Sequence, residues 1–218
     1  MLGSFTPYTL IAASVVVGFV LGRLGKSPWR RQGPQNEGEA RVSSLLRAHF
    51  TPPHYHLLNH VTIRLDDGTT QIDHILVSRF GVFVIETKHF SGWIFGSAAD
   101  TKWTQVYFRM KSRFQNPILQ NFRHICAVRD LLDFLPPGAI KSLVVFSGDA
   151  EFKTPLPEGV TTIDGLVEWL EDQKVEVMSL NRLQFCVGRL ETARLAISGE
   201  TDVEHIESLA RRFDGSAV

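Results

Sequence analysis

Asp73, Glu86 and Lys88 are the residues of this chain whose types and spacing best suit chemistry. They fall in Gln71-Ile72-Asp73-His74-Ile75-Leu76-Val77-Ser78 and in Val82-Phe83-Val84-Ile85-Glu86-Thr87-Lys88, with Arg79-Phe80-Gly81 between. Both runs read as strands rich in Ile, Val and Phe, and Gly81 stands where a tight turn needs positive φ. A carboxylate inside an apolar strand is costly to bury unless it is paired or binds a metal. Glu86 and Lys88 are two positions apart and so share a strand face. Asp73 joins them there if the strands pair antiparallel, about 4.8 Å apart. Two carboxylates and an ammonium on one face can hold a divalent cation beside a phosphate. The same residues can also form a buried ion pair, with Lys88 neutralising one acid and the other lying at a strand end. The three residue types leave both readings open.

The elements that must position these residues follow from pattern. Glu37 to Arg47 has apolar residues at helical spacing (Val42, Leu45, Leu46), with Glu37 and Glu39 in its first turn, where the helix dipole favours acids. Tyr55 to Leu65 reads as a strand, and Asp66-Asp67-Gly68 as a hairpin turn into the strand that carries Asp73. Beyond Lys88, a turn and short strand are expected over His89 to Gly96, and a further strand over Trp103 to Met110. Asn116-Pro117 signals a helix start, with Asn as cap and Pro at the first helical position. That helix should run through Leu119, Ile125, Val128, Leu131 and Leu132 and stop near Pro136-Pro137-Gly138. Ile140 to Phe146 reads as a buried central strand. Helices are expected near Ile163 to Asp172, Leu180 to Ile197 and Val203 to Phe213.

The chain has 218 residues and a formal net charge of zero, which suits one globular domain with an appendage. Neutrality excludes a global basic field, so a nucleic-acid partner would need a local patch. Cys126 and Cys186 read as small buried hydrophobes in a reducing compartment. The run from Tyr8 to Gly22 is uncharged and, with its flank, long enough for a membrane helix of roughly 20 residues. Arg23, Lys26, Arg30 and Arg31 follow it, which sets the remainder of the chain on the cytoplasmic side. A cleaved signal peptide would carry its basic residues ahead of the apolar run instead. Gly18 and Gly22 form a Gly-x-x-x-Gly pair able to dimerise such a helix. The expected organisation is a transmembrane anchor over 1–25, a linker over 26–36, a core over 37–150, and a mostly helical extension over 151–218 packing on the core.

Helix, three antiparallel strands, helix, strand, with Asp on the second strand and Glu-x-Lys on the third, resembles the core of the PD-(D/E)xK nuclease superfamily. More narrowly, it is similar to the nuclease-related domain family. The residues carrying the match are Gly38-Glu39, Gln71 to His74, Gly81 to Lys88, Gly92, Trp103 and Asn116 to Gln120. The resemblance implies an α/β restriction-endonuclease-like core (α-β-β-β-α-β, a mixed sheet flanked by helices) and a Mg2+- or Mn2+-dependent phosphodiesterase acting on DNA or RNA. It also implies roles. Asp73 and Glu86 would be metal ligands, with the Thr87 backbone carbonyl. Glu39 would complete the shell or hold a second ion. Lys88 would orient the water or stabilise charge on the phosphorane. Gln120, near a helix N-terminus, would position water or phosphate. A non-catalytic module of the same fold, binding nucleic acid or protein at the membrane, is the alternative. His124 shares Gln120's helix face and is read as a helix-surface histidine.

Lys102 to Phe114 interleaves Lys102, Arg109, Lys111 and Arg113 with aromatic residues. Such a set can supply phosphate contacts and base stacking, and an ordinary strand with core aromatics and solvated cations alternates in the same way. His54, His56 and His60 lack the rest of a tetrahedral zinc site and read as strand-surface histidines.

Overall fold

A computed structural model describes residues 37–195 of the chain. The anchor expected over 1–25, its linker and the helix expected near Val203 to Phe213 lie outside the described residues. Among those described, no helix is long and apolar enough to cross a membrane.

The described fold is mixed α/β, with helix α1 (Glu37–His49) followed by strands β1 (Tyr55–Leu65), β2 (Gly68–Ser78) and β3 (Gly81–Lys88). Strands β4 (Gly92–Phe95), β5 (Lys102–Tyr107) and β6 (Met110–Gln115) come next, then helix α2 (Pro117–Leu131) and strand β7 (Ile140–Phe146). Short strands β8 (Ala150–Phe152) and β9 (Val160–Thr162) precede helices α3 (Leu166–Glu171) and α4 (Leu180–Ala193). The main sheet has the order β1-β2-β3-β7-β9, with antiparallel pairing through β3 and parallel pairing beyond it. The turn into β3 rests on Gly81, whose φ of +148° suits glycine, and a Cβ there would meet the Ala139 carbonyl at 2.9 Å.

One face of this sheet packs Ile75, Val77, Val82 and Val84 against α2 and α4; the other packs Leu76, Phe83 and Ile85 against α1 and α3. A second sheet, β6-β5-β4-β8, takes β4 to β6 from the segment between Lys88 and α2 and β8 from beyond β7. It closes on the first through Ile94 and Trp103, the Trp103 ring stacking on Phe146 at 6.1 Å. The segment expected as one strand over Trp103 to Met110 is thus a hairpin. It reverses at Phe108, whose φ of +53° is unusual for a bulky residue. Residues past 150, expected to be mostly helical, also give a strand to each sheet. The helix begun at Asn116-Pro117 ends at Leu131, short of Pro136, because Leu132 leaves helical geometry with its N–H still bonded to Val128 and Arg129.

Candidate active site

Asp73 sits where both of its neighbouring ladders are interrupted. The β1–β2 pairing runs from Tyr55–Ser78 to Leu65–Gly68 but omits His60 opposite Asp73. The β2–β3 pairing stops at His74–Ile85, one step before Asp73 would face Glu86. His60 has a φ of +50°. Across this point both strands exchange faces: Leu58 and Val61, and likewise Ile75 and Ile72, lie three apart yet share one core cluster. Where the ladder ends, the Thr87 N–H donates to the Asp73 carboxylate (Oδ2, 2.7 Å) in place of a backbone carbonyl. The N–H and C=O of a strand residue leave by the same edge, so the Thr87 carbonyl also faces this gap.

Glu86 is buried, and its carboxylate meets three donors. Lys88 Nζ is 2.5 Å from Oε1 and Gln120 Nε2 is 2.7 Å from it, while His124 Nε2 is 3.2 Å from Oε2. Lys88 also donates to Gln120 Oε1 at 2.9 Å, closing a triangle. A carboxylate only accepts, so the His124 Nε2 carries a proton, and its Nδ1 lies 2.8 Å from the Thr70 hydroxyl. Helix α2 presents Gln120 and His124 one turn apart on the sheet-facing side. Its start is fixed by Asn116, which accepts from the Ile118 N–H at 2.9 Å and donates to the Asp100 carbonyl at 2.6 Å. His124 was read from the sequence as a surface residue; at 5% exposure it belongs to the site instead. Its four-residue spacing from Gln120 was the signal, and the helix-surface reading gave it too little weight.

Glu39 arrives from the first turn of α1, where it is buried and contacts His60 Nδ1 at 3.4 Å. Gly38 makes this approach possible, since a Cβ there would fall 2.5 Å from Ser147 Oγ and 2.6 Å from His89 Cβ. Arg41 fastens the same end through the Ser147 carbonyl at 2.7 Å. One turn on, Ser43 accepts from Asn59, whose Oδ1 lies 2.7 Å from His74 Nδ1. Burial and the nearby His60 hold His74 down at about 3, so it is a neutral strut. His60, read as a strand-surface residue, therefore also belongs here.

The electrostatics are asymmetric. Burial pushes the Asp73 carboxyl well above the usual range, and Glu86 and Glu39 push it further, against Lys88 and the Thr87 N–H. Burial acts on Glu86 in the same direction, but Lys88 and His124 hold it down at about 2. The Lys88 ammonium, opposed by burial, is held charged by Glu86, Asp73 and Glu39. The Lys88–Glu86 ion pair allowed by the sequence is therefore present, and it leaves two further acids beside it. Among the described residues no three His, Cys, Asp or Glu side chains are gathered closely enough to hold a metal ion. The donors still suit a hard cation in type. A carboxylate offers about four acceptor positions, Glu86 uses three of them, and the raised Asp73 is short of positive charge. Lys102, Arg109, Lys111 and Arg113 all lie exposed on the β5–β6 hairpin, apart from this cluster.

A family profile described as the nuclease-related domain matches residues 34–147, a span that holds every residue of the cluster. An uncharacterized protein of Bacillus anthracis is 47% identical over 97 residues, which cover 44% of this chain and 45% of that protein. The chain thus spans under half the length of that curated relative. No solved structure matches it significantly.

Proposed function

Because this chain belongs to the nuclease-related domain family, we propose that it hydrolyses phosphodiester bonds of DNA or RNA with a Mg2+ or Mn2+ ion. The observation that carries this reading is the excess of carboxylate at one place. Glu86 and Glu39 both push Asp73 up, and the Lys88 ammonium opposes them. Structural ion pairs rarely need a third acid, whereas a cation site does. Asp73 and Glu86 would hold the ion, with the Thr87 carbonyl, and Glu39 would complete the shell or hold a second ion. When bound, such an ion polarises a phosphoryl oxygen and lowers the pKa of water.

The chain's own groups do the rest. Lys88, kept charged by the acids around it, would donate to the attacking water or to the oxygens that gain charge at phosphorus. Gln120 holds the Lys88 ammonium at 2.9 Å and so sets its direction. His124 and Thr70 fix the far oxygen of Glu86. The apolar run from Tyr8 to Gly22 would act as an uncleaved anchor, with the domain facing the cytoplasm and Gly18 and Gly22 as a pairing face. A reporter fused after Val218 that works only outside the cytoplasm should then stay silent; activity there would reverse the topology.

A second reading has its own support. Lys88 and Gln120 both occupy Glu86 Oε1, as they would in a non-catalytic module whose acids merely organise the fold. Melting and cleavage, each with and without manganese, separate the two. At a hundredfold excess over Kd, a bound ion stabilises by about 2.7 kcal/mol, a rise in Tm of roughly 5–11 °C for a domain of this size. Wild type should show that rise and cut labelled DNA or RNA, and Asp73→Asn should show neither. A wild type that does neither is the non-catalytic module.

A further inference from the structure

We propose that the outer face of the second sheet is a platform for single-stranded nucleic acid, with bases stacking on Trp93 and Phe108 and phosphates on Lys111 and Arg113. The inference rests on the nuclease reading for its choice of partner, and on four observations for its location.

The first is exposure. The inner face of this sheet is spent on Ile94 and Trp103. Strand alternation therefore turns Trp93 and Phe95 outward, and they are 50% and 36% exposed. At the hairpin tip Phe108 is 87% exposed, in the left-handed conformation already noted. Trp93, Tyr107 and Phe108 line one cleft together, and it is contiguous exposed apolar surface of this kind that marks an interaction site.

The second is order. The cross-strand rows on the outer face are Trp93–Val106–Lys111 and Phe95–Thr104–Arg113. Each carries an aromatic ring on β4, a small or slim residue on β5 and a cation on β6. Lys111 and Arg113 therefore repeat at roughly 7 Å along one strand, parallel to the line of rings. A cleft lined by Gly92, Trp93, Val106, Tyr107 and Phe108 opens between the first ring and the hairpin tip.

The third is charge. Residues 102–115 hold four cations and no acid, in a chain whose net charge is zero. Lys153 adds a fifth cation, 4.9 Å from the Trp93 ring, and it pairs with Glu151 on the adjoining strand. The cations of β6 suit an anionic partner, and the aromatic rings beside them favour one that also has flat apolar faces, as a nucleic acid does and an acidic peptide does not. Bases present those faces only when they are unpaired.

The fourth is connection. Strands β4 to β6 leave the site at Lys88 and the chain returns to it at Gln120, the two residues that share Glu86 Oε1. A strand lying on the sheet would be tethered to the segment that enters and leaves the catalytic cluster.

The test is equilibrium binding of the full chain, in EDTA so that nothing is cut, to labelled oligothymidylate, oligouridylate and a duplex of equal length. Stacking of a base contributes roughly 1–3 kcal/mol, so Trp93→Ala and Phe108→Ala should each weaken binding of the single strands about 5- to 150-fold. Both should leave duplex binding, melting temperature and sedimentation unchanged. The Lys111→Ala/Arg113→Ala pair should reduce the slope of log K against log salt by about 1.4, at about 0.7 per lost phosphate contact. The thymidylate and uridylate arms tell DNA from RNA. Duplex binding as tight as single-strand binding, unaltered affinity in the aromatic variants, or loss of self-association in place of binding would each overturn the platform. Binding in EDTA by a protein that never cleaves would sink the nuclease reading alone. Cleavage of single strands unaffected by Trp93→Ala and Phe108→Ala would sink the platform alone.

Discussion

Replacing Glu86 by Gln tests the centre of the cluster. The amide keeps the shape of the side chain and removes its charge, and it turns one accepting oxygen into an NH2 that faces either Lys88 and Gln120 or His124. Glu86 is held at about 2 against a reference of 4.5. A depressed acid contributes stability that is fully present above its unfolded pKa and is lost as pH falls through its folded pKa. At about 1.36 kcal/mol per unit, ionised Glu86 contributes about 3 kcal/mol at pH 7. At pH 3, between the two values, the same linkage leaves roughly half of that. Glu86→Gln should therefore cost about 3 kcal/mol in urea unfolding at pH 7, and roughly half of that at pH 3. Glu86 is only 3% exposed, so solvent screening takes little from either figure. A penalty that is equal at the two pH values, or below about 1 kcal/mol at pH 7, would show that Lys88 and His124 do not hold the carboxylate ionised. The same variant should lose the manganese-linked rise in melting temperature along with cleavage.

Other substitutions probe the surroundings. Asp73→Asn keeps an acceptor for the Thr87 N–H and removes repulsion from Glu86 and Glu39; since the Asp73 pKa is raised in the fold, the apoprotein should gain on wild type as pH rises above the ordinary carboxyl value, the gain being complete above the raised one, as read by urea midpoint. Lys88→Ala strips Glu86 of its ammonium but leaves Gln120 and His124 in place, so its cost without metal should fall below the 3–5 kcal/mol of a fully orphaned buried charge, with cleavage lost. Asn116→Ala removes the cap of α2 and a donor to the Asp100 carbonyl; about 2–3 kcal/mol of unfolding free energy should go with it. Gly38→Ala drives a methyl into Ser147 and His89 and should cost about 1–3 kcal/mol, partly recovered by adding Ser147→Ala.

The strands that carry Asp73, Glu86 and Lys88 were legible because their composition is extreme, and the start of α2 because Asn-Pro is a strong local signal. Residues that depend on a broken rule were hidden. Alternation places His60 on the same face as Leu58, two residues earlier, but the left-handed backbone at His60 resets the parity and turns it to Glu39 instead. Leu58 and Val61, three apart and both apolar, were the available hint. The hairpin between Lys102 and Gln115 escaped because Phe108-Arg109 contains none of Gly, Asn, Asp or Pro, the residues that usually mark a reversal. The short strand expected over His89 to Gly96 left its faces unassigned; Ile94 takes the inner position and so turns Trp93 and Phe95 outward.

The ladder gap at Asp73 also explains how an acid can lie mid-strand in an otherwise apolar sheet. In an unbroken ladder its neighbours' N–H and C=O groups would bond strand to strand, and a carboxylate there would find no donor. Here the pairing has ended on the β3 side and skips a residue on the β1 side, so the Thr87 N–H is available to Asp73 and the Thr87 carbonyl faces the same space. That N–H offsets only part of the charge, since Asp73 remains raised by burial and by the two other acids. A purely structural acid would be better served by the position of Glu86, with its three donors. The partial compensation at Asp73 is what a cation would complete, and it is why the manganese dependence of melting in Asp73→Asn, more than that in Lys88→Ala, discriminates between a working site and an ion pair.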